Sequence, residues 1–341
     1  MTLQIIPLSP SDPSLLDHYL VAAIALHEHE VPAFPPPTRK QLTSLFEHPW
    51  PGNVQERSVA LADGEVVGFV GVEHYTEDNL DMANVEVGVS PEHRRRGFGR
   101  ELLAFAEDRA RELGKKTVNS HSAWTLPELN LVAPDEDGPA FARALGYRDA
   151  LPEVNRVLQV SSVDESVLDE MLAHARAKAD GYRLIRWNDP TPDDIIHDIA
   201  YLDGRLLADA PMGDTGWEPM NVDAERIRKT EAAIIARGRT SFHTGMIHEE
   251  TGRVVAWTTI TADDEYEWHG WQQITIVDPD HRGHRLGALV KVENLRWFRE
   301  QNPKVTAIDT FNAAENSYMI SINEQMGFRP QYAFQNWRKD F

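Results

Sequence analysis

The stretch Val85-Glu86-Val87-Gly88-Val89-Ser90-Pro91-Glu92-His93-Arg94-Arg95-Arg96-Gly97-Phe98-Gly99-Arg100 decides the fold of this chain. Its alternating valines predict a strand, and Pro91 ends the strand because proline has no N–H to donate to a ladder. Apolar side chains at helical spacing follow Gly99 and predict a helix. Strand, glycine-rich turn and helix form a phosphate cradle, because glycines let the backbone approach an anion and the first free amides of the helix point at it.

The order of these parts narrows the choice of ligand. No Gly-Lys-Ser/Thr follows the turn, so it is not a P-loop, and the third glycine of the dinucleotide fingerprint is missing. A strand ending in Val-x-Pro and followed by Arg-x-x-Gly-x-Gly resembles the pyrophosphate loop of the GNAT acetyltransferases. The resemblance implies acetyl-CoA as co-substrate, with its diphosphate on the loop and its pantetheine arm on the backbone of the preceding strand.

The same parts occur a second time along the chain. Pro279-Asp280-His281-Arg282 matches Pro91-Glu92-His93-Arg94, again between a predicted strand and a predicted helix. Met326-Gly327-Phe328 matches Leu145-Gly146-Tyr147, a helix end with a glycine cap. A repeat this long indicates two copies of one domain. We therefore predict an α+β fold of two tandem GNAT-like domains, each a mixed, mostly antiparallel sheet flanked by helices.

The predicted domain boundaries follow the order of these elements. The N-terminal domain covers residues 1–160, a connecting helix covers 161–180, and the C-terminal domain covers 181–341. A last strand pair around residues 153–160 is expected to close the N-terminal domain. The tandem arrangement is similar to that of mycothiol synthase-like proteins, in which the C-terminal copy does the chemistry, although nothing in this sequence points to mycothiol.

Composition sets limits on the function. The chain has 341 residues, of which 41% are hydrophobic, which is enough to pack two domains. It contains no cysteine, which excludes disulfides, thiolate metal sites and a cysteine nucleophile. No apolar run is long enough to span a bilayer, and the first residues lack the features of a signal peptide, so we expect a cytoplasmic protein without a membrane partner.

Charge and motif content narrow the partners further. The formal net charge is −20, shared equally between residues 1–160 and the remainder, so no basic module for nucleic acid is present. An acidic surface favours a cationic acceptor such as an amine, although solubility alone also explains it. Adjacent residues of His27-Glu28-His29-Glu30 point in different directions on a helix, so we expect no metal. No Gly-x-Ser-x-Gly elbow supports a hydrolase.

The N-terminal copy keeps every position of the cradle motif. Its strand carries Glu86, where many members of the family place the carboxylate that takes the proton of the amine; a solvated side chain on the polar face of the strand is the alternative. The family positions for an asparagine and a tyrosine hold Asp135 and Ala142, and alanine cannot protonate the CoA thiolate. The resemblance implies these acetyl-CoA-binding residues: Val87, Val89, Arg94, Arg95, Arg96, Gly97, Phe98, Gly99 and Arg100.

The cradle of the C-terminal copy departs from the motif at one position. It keeps Arg282 and Gly287, but Arg285 replaces the first motif glycine. Arginine binds phosphate well, so the loop is still expected to hold a diphosphate. The resemblance implies these acetyl-CoA-binding residues: Ile276, Val277, Arg282, Gly283, His284, Arg285, Leu286, Gly287 and Asn316.

The acid and the base of the C-terminal copy are less clear. The family tyrosine position holds Asn323, and Tyr318, one helical turn away, is a possible replacement. Ile274 stands where the other copy has Glu86, so a base must come from Glu267, from its neighbours Glu265 and His269, or from an ordered water. A charged hairpin loop is the structural alternative for these three residues, and aromatic side chains among them suit an amine with apolar or ring structure.

Together these features predict a base-assisted, metal-free transfer of an acetyl group from acetyl-CoA to the primary amine of a small molecule. We assign catalysis to the C-terminal copy because of Asn316, Tyr318 and the family analogy; the opposite assignment stays open because the N-terminal cradle is intact. A non-catalytic CoA-binding sensor or scaffold is one alternative, favoured by the missing tyrosine in both copies. Transfer of a longer acyl group is another. A monomer or homodimer is expected.

Overall fold

Chain segments are exchanged between the two structural units of this protein. The computed structural model describes residues 3–126 and 137–341. The N-terminal unit comprises Met1–Glu153, Met212–Trp217 and Tyr332–Phe341, and the C-terminal unit comprises Val154–Pro211 and Glu218–Gln331. This division differs from the predicted boundaries at residues 154–160, 212–217 and 332–341, each of which belongs to the other unit.

The first half of the chain begins with a strand and two helices, and three consecutive strands follow before the next helix. Its α-helices and strands are β1 (Leu3–Pro7), α1 (Pro13–Glu30), α2 (Arg39–Glu47), β2 (Asn53–Ala62), β3 (Glu65–Tyr75), β4 (Met82–Val89), α3 (Phe98–Glu112), β5 (Thr117–Thr125), α4 (Asp137–Ala144) and β6 (Arg148–Gln159). The side chain of Asp12 caps α1 by accepting the N–H groups of Ser14 and Leu15. The predicted Asp-Gly turn joins β2 to β3, with Asp63 and Gly64 both at positive φ.

The second half repeats this order with an added helix before its first strand, and with three helices instead of two between its first and second strands. Its α-helices and strands are α5 (Glu165–Arg176), β7 (Tyr182–Asn188), α6 (Ile196–Gly204), α7 (Leu206–Asp209), α8 (Ala224–Ala236), β8 (Arg239–His248), β9 (Val254–Asp263), β10 (His269–Val277), α9 (Leu286–Gln301), β11 (Ala307–Ala313), α10 (Ser317–Gln325) and β12 (Arg329–Asp340). None of the helices within residues 3–126 and 137–341 has the length and apolar character that crossing a bilayer requires.

The sheet of the N-terminal unit has the strand order β1-β2-β3-β4-β5-β12, with the first half of β6 beside β12. Neighbouring strands from β1 to β4 are antiparallel, β4 and β5 are parallel, and β5 and β12 are antiparallel. Apolar residues of α3 at helical spacing, such as Leu102 and Ala106, pack on one face of this sheet. Side chains of α1 and α2, such as Leu16 and Leu42, pack on the other face.

The sheet of the C-terminal unit has the strand order β6-β11-β10-β9-β8-β7, again with a single parallel pair, β10 and β11, between antiparallel neighbours. Helix α9 packs on one face and α6 and α8 on the other. Leu168, Leu172 and Ala175 of α5 lie in the same core as α9. The predicted connecting helix is therefore an integral part of the C-terminal unit.

The last strands of the two halves are exchanged. Strand β12, from the end of the chain, pairs with β5 from Tyr332↔Thr125 to Asp340↔Thr117. The second half of β6 lies beside β11 instead, where Asn155 Nδ2 donates to Asp309 Oδ1 over 3.0 Å. The expectation that residues 153–160 close the N-terminal domain was therefore wrong, because an alternating pattern predicts a strand but does not identify its partner.

Candidate functional site

The N-terminal cradle begins where β4 ends. A 3-10 turn at Pro91–His93 leads to Arg95 (φ 65°) and to Gly97 (φ 94°), which precedes α3 in the left-handed conformation that glycine adopts at low cost. Within the described residues, the N–H groups of residues 95–99 have no hydrogen-bond partner in the protein. Consecutive free amides at a helix N-terminus have the geometry that suits an anion.

The C-terminal cradle has the same construction at the end of β10. A 3-10 turn at Pro279–His281 leads to Gly283 (φ 87°) and to Arg285 (φ 56°), which precedes α9. In the described part of the chain, the N–H groups of residues 283–287 likewise bond to no protein atom. Arg285 thus adopts the left-handed conformation that Gly97 adopts in the other copy, at a cost of about 1 kcal/mol. The departure from the glycine motif leaves this cradle formed.

The first arginine of each cradle motif bonds to other groups of the protein. Arg94 Nε donates to the Val89 carbonyl over 3.3 Å, and its Nη2 donates to Glu30 Oε1 over 2.8 Å. Arg282 repeats both contacts, with its Nε 3.3 Å from the Val277 carbonyl and its Nη2 2.9 Å from Asp209 Oδ2. Each arginine therefore ties its loop to the end of the preceding strand, so its main role is to hold the cradle in shape.

Substitution of Arg94, which ties the N-terminal loop to the end of β4, should weaken CoA binding even when the positive charge is kept. We expect Arg94→Met and Arg94→Lys both to lower the affinity of the N-terminal cradle for CoA about tenfold, because lysine cannot make the two contacts of the guanidinium fork. Isothermal titration calorimetry with CoA measures the effect. Full affinity in Arg94→Lys, with loss only in Arg94→Met, would mean that charge and not bracing matters.

The other cradle side chains divide between solvent and core. Phe98 and Leu286 are buried in the cores, so only their backbone amides are available to a ligand. The side chain of Arg95 is 86% exposed, Arg100 is exposed, and Arg96 Nη2 donates to the Glu92 carbonyl. The arginines at 95, 96 and 100 therefore place positive charge around the free amides.

Both sheets open at their parallel strand pair. Strands β4 and β5 are paired only from Met82↔Thr117 to Asn84↔Asn119, and they separate toward the cradle. Strands β10 and β11 are paired only from His269↔Ala307 to Trp271↔Asp309, and β10 also has a bulge between Gln272 and Thr275. In each copy a slot thus runs from the cradle along the strand that precedes it. The predicted acetyl-CoA-binding residues Val87 and Val89 belong to β4, and Ile276 and Val277 belong to β10.

Glu86 lies on β4 beside the N-terminal slot, on the sheet face that α1 partly covers. It forms an ion pair with Arg57, whose guanidinium occupies the space left by Gly71, since a Cβ at that glycine would overlap Arg57 Nη1. Burial alone would raise the pKa of Glu86, but Arg57, together with His121, outweighs burial and holds this pKa below its ordinary value. Glu86, 42% exposed in its side chain, is therefore an anion at neutral pH.

A second carboxylate and a phenol belong to the same face. Glu73 accepts hydrogen bonds from the side-chain amides of Gln55 (3.4 Å) and Asn84 (3.3 Å), as well as from that of Asn53. Burial raises the pKa of Tyr19 well above its ordinary value, so its hydroxyl stays neutral beside the Arg57–Glu86 pair. Glu73, Glu86 and Arg57 thus share this face, and the amide groups bond to Glu73.

The C-terminal half of the chain completes this face. Phe334 of β12 lies 6.1 Å from the His121 ring and stacks on Phe34 at 6.3 Å. Asn119 Nδ2 donates to the Thr215 carbonyl over 3.1 Å, and Trp217 packs edge-on against Tyr75. Sequence reasoning missed these residues because they lie roughly 100 to 300 positions from their partners, and no motif near them indicates the pairing.

In the C-terminal copy, the side chains of Tyr318 and Asn323 point to different sides of α10. Asn323 is fully buried and donates to Asn312 Oδ1 over 2.8 Å, whereas Tyr318 is 63% exposed. Five residues correspond to a rotation of about 140° around a helix, so Tyr318 cannot take the place of Asn323. Asn316 caps α10 by accepting the Met319 N–H over 3.3 Å. The side chain of Tyr318 therefore does not fill the position that Asn323 occupies.

The base candidates of this copy lie far from its cradle. Glu267 precedes β10 and pairs with Lys304 over 2.7 Å at the protein surface. The nine residues of β10, His269–Val277, separate it from the cradle, a distance of about 30 Å. His269 is 2% exposed and bonded to Asp309 Oδ2 over 2.6 Å, so its ring faces the interior. Glu265 belongs to the same hairpin as Glu267, and none of these three side chains enters the chemistry proposed below.

The histidine and glutamate run after residue 26 has separate structural tasks. His27 Nε2 bonds to the Phe34 carbonyl over 2.9 Å, and Glu30 holds Arg94. Within residues 3–126 and 137–341, no three histidine, aspartate or glutamate side chains are placed to hold one metal ion. Asp135, which stands at the position where the family has an asparagine, lies outside the described residues.

This chain is similar to known proteins in both sequence and structure. Residues 23–131 match the family model described as the acetyltransferase (GNAT) family. A tandem GNAT protein from the clavulanic acid biosynthesis pathway is similar over 99% of this chain and 98% of its own, with 27% identity and a TM-score of 0.82. A GCN5-related N-acetyltransferase from Sphaerobacter thermophilus is similar over 99% and 95%, with 14% identity and a TM-score of 0.67. Curated protein sequences gave no match. The predicted tandem α+β fold is confirmed.

Proposed function

Because the chain carries a GNAT acetyltransferase domain in a tandem GNAT arrangement, we propose that it transfers an acetyl group from acetyl-CoA to a primary amine of a small molecule, at its N-terminal unit. The observation that carries this proposal is Glu86, an ionised carboxylate beside the open slot of β4. Its counterpart in the C-terminal unit is Ile274, which packs against an apolar core. The proposal reverses the assignment made from sequence, which depended on Asn316 and Tyr318.

The cradle holds the co-substrate in this proposal. The diphosphate of acetyl-CoA accepts hydrogen bonds from the free amides of residues 95–99, and the charges of Arg95, Arg96 and Arg100 complement it. The pantetheine arm extends along the open edge of β4 at Val87 and Val89. The matching amides of residues 283–287 bind a second molecule, so the chain takes two CoA molecules and uses one for transfer to the amine.

The transfer itself needs a free amine. An ammonium bound on the carboxylate-bearing face gives its proton to Glu86, directly or through a water, since only the neutral amine has a lone pair. The nitrogen then attacks the thioester carbonyl carbon, a C–N bond forms, and the C–S bond breaks to release the CoA thiolate. The nitrogen loses its second proton to solvent or to the departing thiolate, which leaves a neutral amide and CoA. A thiol has a pKa near 8.5, so the thiolate leaves readily and alanine at position 142 costs little.

The acceptor follows from the charge of the site. Glu73 and Glu86 outnumber Arg57 on this face, and the chain carries a net charge of −20, so a cationic amine is attracted and an anionic one is repelled. Phe34 and Phe334 form an apolar wall next to these charges, which suits an amine that also carries an apolar or ring portion. A cytoplasmic location and a monomeric or homodimeric state stay predictions.

Thiol release from acetyl-CoA with a panel of primary amines tests this function. Because the chain contains no cysteine, a colorimetric thiol reagent reports only the CoA that is released. We expect release with cationic amines of small size. Tight CoA binding without release for any amine would contradict the proposal and favour the sensor alternative, and release only with a longer acyl-CoA would change the donor.

A matched pair of cradle variants identifies the working copy. We expect Gly99→Asp to lower turnover at least about 100-fold, because its carboxylate repels the diphosphate, and Gly287→Asp to leave turnover within about threefold. Gly99→Ala and Gly287→Ala control for the added carbon, which at Gly99 would lie 3.3 Å from the Phe141 ring and at Gly287 3.5 Å from Val277. The reverse pattern would return catalysis to the C-terminal unit.

A further inference from the structure

Lys291 of α9 is a buried amine that the proposed chemistry does not use. The residue is 1% exposed, and within the described part of the chain its Nζ makes no ion pair and no hydrogen bond. The centroid of the Phe328 ring lies 5.8 Å from Nζ. Burial lowers the pKa of Lys291 to about 7, so a large fraction of this side chain is the neutral amine at physiological pH.

Another buried lysine shows how unusual this arrangement is. Lys115 of the N-terminal unit is 9% exposed, but its Nζ donates to the Tyr75 carbonyl over 3.1 Å and to the Leu80 carbonyl over 2.7 Å. Those acceptors hold its protons and satisfy its charge. Lys291 lacks such acceptors, and a buried lysine without partners costs free energy that leucine at the same position would not.

The position of Lys291 in α9 directs it toward the C-terminal slot. It follows Gly287 by four residues, so both lie on one face of the helix. A Cβ at Gly287 would contact Val277 Cγ2 at 3.5 Å and Thr275 Cγ2 at 3.9 Å, so this face looks onto the part of β10 that β11 has left. Lys291 thus lies one helical turn beyond the cradle, on the side of α9 that carries Gly287.

The N-terminal copy has no amine at the matching position. Four residues after Gly99 comes Leu103, which is 5% exposed and packs in the apolar core. The two copies therefore share the cradle and the slot but differ in the group that lines it. This contrast separates a structural requirement of the fold, which leucine meets, from a chemical role that only lysine can have.

We propose that Lys291 Nζ accepts an acyl group from an acyl-CoA bound at the C-terminal cradle, which makes Lys291 a self-modification site of the chain. The neutral nitrogen attacks the thioester carbonyl carbon, an amide N–C bond forms, and the C–S bond breaks. The electron pair of that bond leaves with sulfur as CoA thiolate, and the nitrogen loses one proton to the solvent. This inference depends on the proposed use of acyl-CoA but not on turnover at Glu86.

The modified side chain has a direct effect on the slot. An amide is stable to water at neutral pH, so each chain is modified once. The acylated lysine then occupies the space of the pantetheine arm and reduces CoA binding at residues 283–287, while the N-terminal cradle is unaffected. Self-acylation therefore removes one of the two proposed CoA sites.

Mass spectrometry of the full chain tests the proposal. After incubation with acetyl-CoA, we expect the mass of one acetyl group per chain, located by peptide mapping at Lys291, with Lys115 unmodified. Because the chain has no cysteine, an S-acetyl adduct cannot account for the mass. The rate should rise with pH up to about pH 7 and then level off, whereas surface lysines react faster up to pH 10 and above.

Three variants distinguish acetylation by acetyl-CoA bound at the C-terminal cradle from non-specific acetylation by acetyl-CoA in solution. Lys291→Met should abolish the adduct, and Gly287→Asp, which keeps the lysine but repels the diphosphate, should slow modification at least tenfold. Leu103→Lys is the reciprocal control and should gain an acetyl group at residue 103. No adduct in the native chain, while titration shows two bound CoA molecules, would overturn the proposal and leave the proposed function intact. Equal modification of exposed lysines would also overturn it.

Discussion

Glu86→Gln is expected to lower kcat/KM for amine acetylation by about 10²- to 10⁴-fold, the usual contribution of a positioned base. Glutamine keeps the shape of the side chain and still accepts a hydrogen bond from Arg57, but it cannot take a proton from the ammonium. CoA affinity at the cradle should be unchanged, because that site consists of backbone amides of residues 95–99. Steady-state thiol release, with CoA titration alongside, measures both quantities.

Glu73→Gln is the matched control for this variant. It removes a carboxylate from the same sheet face but from the neighbouring strand, so we expect a higher KM for the amine with kcat nearly unchanged. An unchanged kcat in Glu86→Gln would remove Glu86 from the mechanism. Because Arg57 holds the pKa of Glu86 below its ordinary value, their pair stabilises the fold at neutral pH, and this contribution is lost as the pH falls through the lowered pKa of Glu86.

Trp337→Ala, a substitution five residues from the end of the chain, is expected to destabilise the N-terminal unit by about 3 to 5 kcal/mol. Trp337 is 1% exposed, lies in the core with residues of α3, and donates its indole N–H to Ser122 Oγ over 2.9 Å. Hydrogen exchange should show loss of protection in α3 and β5, far away in sequence, and less change in α9 and β10.

Trp268→Ala provides the comparison for that measurement. This tryptophan is 37% exposed in the C-terminal unit, and its truncation should cost less than about 1 kcal/mol. If Trp337→Ala instead lowered protection mainly in α9 and β10, the exchange of the last strands would not describe the protein in solution. Chemical denaturation of both variants gives the free energies of unfolding.

Some of the site follows from the sequence because its chemistry is local. The cradles depend on glycines and on the first amides of a helix, both of which lie within one short motif, and Arg285 in place of a glycine did not prevent the second cradle from forming. Glu86 became a candidate base because it shares a strand with its cradle. These features need no information about distant partners.

The errors concern relations that the motif does not contain. The pairing of β12 with β5 joins residues about 200 positions apart through backbone hydrogen bonds, which any sequence can make. Tyr318 was favoured by its closeness to Asn323 along the chain, although helical periodicity already separates the two side chains by about 140°. Alignment of Gly287 with Gly99 would have revealed Lys291 opposite Leu103, but a buried lysine attracts attention only once its burial is known.

The exchange of last strands has a consequence for synthesis on the ribosome. The sheet of the N-terminal unit stays incomplete until Tyr332–Phe341 has left the exit tunnel, so nascent β5 has an open edge throughout translation of the second half. That strand, Thr117–Thr125, carries asparagine, serine and histidine rather than a continuous apolar run, which limits premature association between growing chains. Loss of Tyr332–Phe341 would leave β5 without its partner β12 and the sheet of the N-terminal unit incomplete.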